Sequence, residues 1–567
     1  MKKHLFSITL LLFVVATGLH AQETKLPTTP DFTNAMEALQ QGDIFTSDSL
    51  LNEEVGKYPK NGYAWLYRGI LYTRLQADTA LVFLDQAVRH IPKKDNENLA
   101  TAHYWRGIAK WKFNDDFTGM MDEMNTAKRT NPNTAEPYLA VGTVLQQRGD
   151  YGGAEQEFRQ ALTKGDVKKS DTYQFLGRNK AAQDDYSTAI KYYNQALEFD
   201  RNDESIYIDR SQAYIATHQE QQGIEDAMIA FDLEHSRSAF NYLITLGDST
   251  QLRDQVVARL KEQTRKVGDP TLYLFAISTI YSNADNAPES LRYLLRASKS
   301  NDEPLYEQIA ERLAGYALYE QAADYFRRAL GATPIDSLDD SQESLYNKYV
   351  GYTFESGKTQ EAIALHEKIK PEKDSDDYEG WLGNLMWFKY YAGDYAGALE
   401  TMAMLPEELK EGADNALFQG KIYRENGMTD KARECFTRCT TDEVIEENPS
   451  DAEVAFALLG NTAKTRELFE KRQADDPDDI SEFSAACLMA LIDDKPMAVS
   501  YLRQLFENGF RNFFKVERDE DLRSLKGYGD YEAMLKEYKA KFEVERKALL
   551  DVLEEETREE PIPLVGE

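Results

Sequence analysis

The chain has 567 residues, with 66 Lys and Arg against 98 Asp and Glu, a formal net charge of −32 at pH 7. With 42% hydrophobic and 11% aromatic residues it can bury a core, which excludes disorder over most of its length. The acidic balance argues against nucleic acid or an anionic membrane surface as partner, and three cysteines cannot build a disulfide framework.

In chain order, Met1, Lys2, Lys3 and His4 precede a mostly apolar run from Leu5 to Leu19, followed by His20, Ala21 and Gln22. A basic start, a short apolar stretch and a small residue before a polar one predict a secretory signal peptide, residues 1–21, cleaved after Ala21. The run is too short and too early for a membrane span. Its loss removes two lysines and no acid, so export deepens the negative charge by two. Cys435, Cys439 and Cys487 all lie far from the cleavage site, which leaves no cysteine there for lipid attachment. The expectation is a periplasmic or secreted, soluble protein that is not a lipoprotein.

After a linker over 22–30, a repeat organises the chain. Gly142, Tyr151, Ala154, Phe158 and Ala161 recur 35 residues on as Gly177, Tyr186, Ala189, Tyr193 and Ala196, and then as Ser211, Gly223, Ala227 and Ala230. Upstream, Trp65, Gly69, Tyr72, Ala80, Leu84, Ala87 and Pro92 follow the same order. Downstream it returns as Tyr306, Ala310, Ala322, Phe326, Ala329 and Pro334, and as Gly420, Tyr423, Gly427, Ala432, Phe436 and Cys439. Small residues at fixed spacing let two helices cross closely, and aromatics fill the space between successive pairs. Gly149, Gly357, Gly393 and Gly427 fit the left-handed residue that ends a first helix, and Asp150-Tyr151, Asp185-Tyr186 and Asp394-Tyr395 open the second.

This pattern resembles the tetratricopeptide repeat family over roughly residues 31–510. The resemblance implies an all-α, right-handed superhelical α-solenoid of about 12 antiparallel helix pairs. The expected organisation is a first array over 31–235, a degenerate pair and bend over 236–269, and a second array over 270–510. Capping helices over 511–556 then shield the last apolar face, ahead of a flexible acidic tail over 557–567.

Motifs for catalysis are lacking. Gly357-Lys358-Thr359 ends like a phosphate-binding loop, but Gly351 is one residue too far away and the repeat accounts for Gly357 as a turn. Cys435 and Cys439 share a helix face without a nearby His for zinc, and Cys487 sits among small apolar residues, so packed thiols are expected. Asp475 to Glu482 carries carboxylates without the Gly a calcium loop requires. No catalytic residue, metal site or cofactor is therefore expected.

The resemblance also implies that first helices line a groove for an extended or helical protein partner. By repeat phase the groove-facing residues are Gln147, Gln174, Arg178 and Gln212 in the first array, and Asn347, Trp387, Tyr390, Tyr391, Lys421 and Arg424 in the second. The family's carboxylate clamp is not carried over, since the in-phase positions hold Leu139 and Thr143, Gln174 and Arg178, then Ile208 and Gln212. Arg178 reads as a lone positive group able to steer a carboxylate, and Trp387 with Tyr390 and Tyr391 as an aromatic hot spot. The leading expectation is an exported, non-catalytic scaffold for a protein or peptide partner in the cell envelope, its charge favouring neutral or basic partners. The alternative is a glycan-binding or hydrolytic envelope protein with a site assembled across the groove beside Trp387.

Overall fold

The computed structural model describes residues 26–301, 304–406, 409, 415–476 and 479–558. The expected signal peptide and the tail beyond 558 lie outside the described residues. All regular structure among the described residues is helical. The chain divides into two compact units, Met1–Leu246 and Gly247–Glu567, with the division inside the helix Arg237–Asp248.

Six consecutive helix pairs build the first unit, from Pro30–Gln40 with Ile44–Lys57 to Glu204–Ala216 with Glu220–Glu234. Substantial packing runs only within a pair or to the adjacent pair. The small residues sit where helices cross: a Cβ added at Gly142 would lie 2.4 Å from the Phe158 ring, and one at Gly177 2.4 Å from the Tyr193 ring. Gly420 and Phe436 repeat this in the second unit, also at 2.4 Å. A methyl there would push a buried aromatic ring out of its slot, so glycine stands at these three crossings.

The turn inside each pair is equally local in origin. Gly149 and Gly427 adopt φ of +82° and +73°, a conformation that ends a helix without steric cost only for glycine. Where the residue after the left-handed one is Asp, it caps the second helix, Asp150 accepting from Gly153 N at 2.9 Å and Asp185, after Asp184, from Thr188 N at 3.2 Å. Each core cluster spans neighbouring pairs, as in Ala189, Tyr193, Ala196, Ile206 and Ala213.

The second unit stacks pairs from Thr271–Asn283 with Ala287–Ser300 to Glu482–Leu491 with Lys495–Glu507. All three cysteines are buried free thiols. Beyond the last pair come the helix Phe513–Arg518, the 3-10 segment Glu520–Leu525 and the long helix Gly529–Thr557. These do more than cover the last apolar face. Leu549 and Val552 of the long helix join the core formed by Leu291, Leu294, Ile309 and Phe326, more than 220 residues earlier in the chain. Arg292 donates to Glu555 at 2.8 Å and Arg296 to Glu556 at 2.9 Å, holding the far end of that helix to the helix Ala287–Ser300.

Candidate functional site

In the first unit, Gln147 and Gln212 are exposed. Gln174 is only 5% exposed, and its amide donates to Ser205 Oγ at 2.9 Å and Asp209 Oδ2 at 2.8 Å. Arg178 is not a lone cation, because its Nε donates to the same Asp209 oxygen at 2.6 Å. Repeat phase singles out Ile208 and Gln212 and passes over Asp209, which reaches back one pair to neutralise Arg178. Elsewhere in this unit the helix Phe117–Thr130 places Glu123 against His103, Arg106 and Lys110, three residues along one face of the helix Asn96–Asn114. Burial alone would raise the Glu123 carboxyl; the three donors overcome it and hold the carboxyl down at about 2.

In the second unit the C-terminal ends of several first helices are covered by the chain's own segment between Gly509 and Lys526. Asn512 donates to Glu355 at 2.5 Å, and Phe514 packs edge-on against Phe354 at 6.0 Å. Asp521 accepts from Lys421 Nζ at 2.5 Å and stands 3.6 Å from Arg424 Nη2. Arg523 donates to Glu425 at 2.6 Å, Tyr395 bonds Glu520, and Ser524 donates to the Ala490 carbonyl at 2.8 Å. Val516, Leu522 and Leu525 are fully buried beneath these polar contacts. The segment thus runs past the C-terminal ends of the first helices Asp340–Glu355, Asp377–Tyr391, Ala416–Glu425 and Glu482–Leu491.

The expected groove residues of this unit are consequently not free. Tyr390 is 2% exposed, its ring edge-on to Tyr391, Tyr395 and Phe418. Trp387 is half-buried against Phe354, Phe388 and Tyr391. Lys421 and Arg424 serve Asp521, and Asn347 alone of the set is exposed. Carboxylates do stand near Tyr391, but Asp519 and Asp521 are 6% and 7% exposed. Burial first and Asp521 second raise the Asp519 carboxyl, while burial raises the Cys487 thiol and the Tyr390 and Tyr391 hydroxyls. This is a buried polar cluster beneath a docked segment. Elsewhere on this unit one cavity of about 540 Å³ opens near Phe275, Gln308, Arg312 and Tyr316, and another of about 460 Å³ near Tyr325, Arg328 and Tyr349.

Lys358 pairs with Glu320 at 2.9 Å, and Gly357 at φ +91° is an inter-helix turn. Among the described residues no group of His, Cys, Asp and Glu is placed to hold a metal ion, and no described helix is long and apolar enough to cross a membrane.

Stacked helix pairs with a small residue at each crossing, a left-handed residue between helices and an Asp opening the second define a helical repeat protein. The family model described as tetratricopeptide repeat matches residues 170–203 and 413–441, one stretch in each unit. Each unit of the chain thus carries one stretch that matches the tetratricopeptide repeat family. Among solved structures it is similar to the C-terminal part of a repeat-containing protein of Cytophaga hutchinsonii, at 13% identity and TM-score 0.32, over 48% of this chain and 96% of that one. It is likewise similar to a tetratricopeptide repeat protein of Parabacteroides merdae, at 14% identity and TM-score 0.32, over 50% and 96%. A third similar structure is pilF of Pseudomonas aeruginosa, at 14% identity and TM-score 0.29, over 42% and 90%. No curated protein sequence matches the chain.

Proposed function

We propose that this protein is an exported, non-catalytic scaffold in the cell envelope, and that it binds a protein or peptide partner across the first helices of its first unit. The observation that carries this reading is the difference between the two units. The C-terminal ends of four first helices of the second are covered by residues 509–526, whereas helices of the first pack substantially only on their own neighbours and leave Gln147 and Gln212 exposed. Repeats of this family generally serve protein partners, and an uncovered row of half-buried side chains is where an extended chain gains contact area. Export is supported by the basic start and apolar run of residues 1–19. Capture with the full mature chain from a cell-envelope fraction, at several salt concentrations, tests the reading. A specific protein retained by the chain supports it, and recovery of nothing above background at any salt contradicts it.

A further inference from the structure

The cavity of about 540 Å³ at the start of the second unit lies among the helices Thr271–Asn283, Ala287–Ser300 and Tyr306–Gly315. Phe275 and Leu294 give it an apolar wall, and Glu307, Glu311, Arg312 and Tyr316 give it polar groups. A concave space of this size, mostly apolar with a few placed charges, is the form that sites for small ligands take. Arg511, 4.9 Å from the Tyr316 ring, brings the terminal segment to its edge without filling it.

What distinguishes Arg312 is how it is held. Its Nη1 donates to Ser290 Oγ, and Ser290, fully buried, donates in turn to the Ser278 carbonyl at 2.8 Å, while Ser278 Oγ donates to the Ser290 carbonyl at 2.7 Å. A satisfied buried network of this kind fixes the guanidinium in place. The other Arg312 nitrogens have no partner among the described residues and are not buried, so their donors remain available on the cavity side. Burial lowers the guanidinium and only Tyr316 works against that, so no carboxylate of the chain neutralises it.

The same cavity carries a negative charge. Glu307 and Glu311 stand one turn apart and share a single ammonium, Lys348 Nζ lying 3.1 Å from Glu307 and 2.6 Å from Glu311. Two carboxylates against one ammonium leave one negative charge uncompensated. The cavity therefore offers one fixed cation, one net anion and an apolar wall.

We propose that this cavity binds a free peptide of two or three apolar residues, its C-terminal carboxylate on Arg312, its N-terminal ammonium toward Glu307 and Glu311, and its side chains against Phe275 and Leu294. Such a peptide spans roughly 7–11 Å when extended, and a cube of 540 Å³ has an edge of about 8 Å. Because both free ends are recognised, an internal segment of a folded protein does not meet the requirement. The site is thus separate from the partner surface of the first unit and does not depend on it.

Isothermal titration calorimetry on the full mature chain tests this with Leu-Leu, acetyl-Leu-Leu, Leu-Leu-amide, acetyl-Leu-Leu-amide and free leucine. Leu-Leu is expected to bind, and each singly blocked peptide to bind at least tenfold more weakly. Arg312→Gln should weaken Leu-Leu at least tenfold and leave Leu-Leu-amide unchanged, while Glu307→Gln/Glu311→Gln should weaken Leu-Leu and leave acetyl-Leu-Leu unchanged. Thermal melts establish that each variant is folded, and the blocked peptides on the unaltered chain decide the matter if one is not. No binding of Leu-Leu at millimolar concentration, equal affinity for the doubly blocked peptide, or an unchanged affinity in folded Arg312→Gln overturns the site. Free leucine binding as tightly as Leu-Leu would make this an amino-acid site and equally overturn the peptide. Partner capture through the first unit is expected to be the same in all these variants, so either reading can fail without the other.

Discussion

Lys421 Nζ and Asp521 Oδ2 lie 2.5 Å apart across 100 residues of sequence, with side chains 15% and 8% exposed. This pair joins the terminal segment to the first helix of a repeat far upstream. Burial alone would lower the Lys421 ammonium, but Asp521 raises it, so the lysine stays charged because its partner is there.

Breaking one side of this pair leaves the other buried with its closest counter-ion gone and only the more distant Arg424 or Asp519 to offset it. Asp521→Asn is expected to cost about 3–5 kcal/mol in the unfolding of the second unit, read by urea titration. The double variant Lys421→Met/Asp521→Leu should recover most of that loss, since a matched apolar pair carries no desolvation cost. A single variant within about 0.5 kcal/mol of wild type would show that the pair is not closed to solvent.

Gly177→Ala addresses the helix crossing. With Tyr193 only 2.4 Å from the added methyl and 1% exposed, the ring must shift, and a loss of about 1–3 kcal/mol is expected from thermal melts. Gly152→Ala, where the nearest atom is 3.9 Å away, should change stability little and serves as control.

Several pairs place a non-glycine residue at the left-handed turn, among them Ala317 at φ +56°. Alanine pays a steric cost there that glycine avoids, so Ala317→Gly is expected to stabilise the second unit by about 1 kcal/mol. Destabilisation of the same size would mean that the gain in unfolded-state entropy dominates.

His366 gives a pH dependence. Its ring is 3% exposed, stacks on Trp381 at 5.6 Å and bonds the Trp381 carbonyl through Nε2 at 3.0 Å. Burial lowers its pKa below 6.5, so the fold keeps it neutral while the unfolded chain takes up a proton as pH drops. The stability it supports is full above about pH 6.5 and declines as pH falls through the depressed folded value. His366→Gln should flatten that part of the stability profile between pH 7 and 5, and an unchanged slope would remove His366 as its source.

The local parts of the fold were legible in the sequence because they depend on spacing alone. Gly142 against Phe158, Gly149 at the turn and Asp150 at the cap all lie within one repeat, where 3.6-residue periodicity and capping chemistry decide the outcome. The candidate site was less legible. Asp209 pairs with Arg178 from the next repeat, one position from the two residues that phase singles out. The turn Asp519-Glu520-Asp521 carries no repeat pattern, so its docking on Lys421 and Arg424 has no register to reveal it. The available signal was chemical: an acidic turn following Phe513-Phe514, and a second array offering cations and aromatics to match.

The central claim is that the partner lies along the first helices of the first unit while residues 509–526 keep the corresponding face of the second unit closed. Amide hydrogen exchange on the full chain, free and with its captured partner, tests this most directly. Slower exchange confined to residues 62–74, 96–114, 136–147, 169–181 and 204–216, with 416–425 and 513–525 unchanged, is the predicted result. Protection of 416–425 with faster exchange at 513–525 would mean that the partner displaces the terminal segment from the second unit, and would contradict the account.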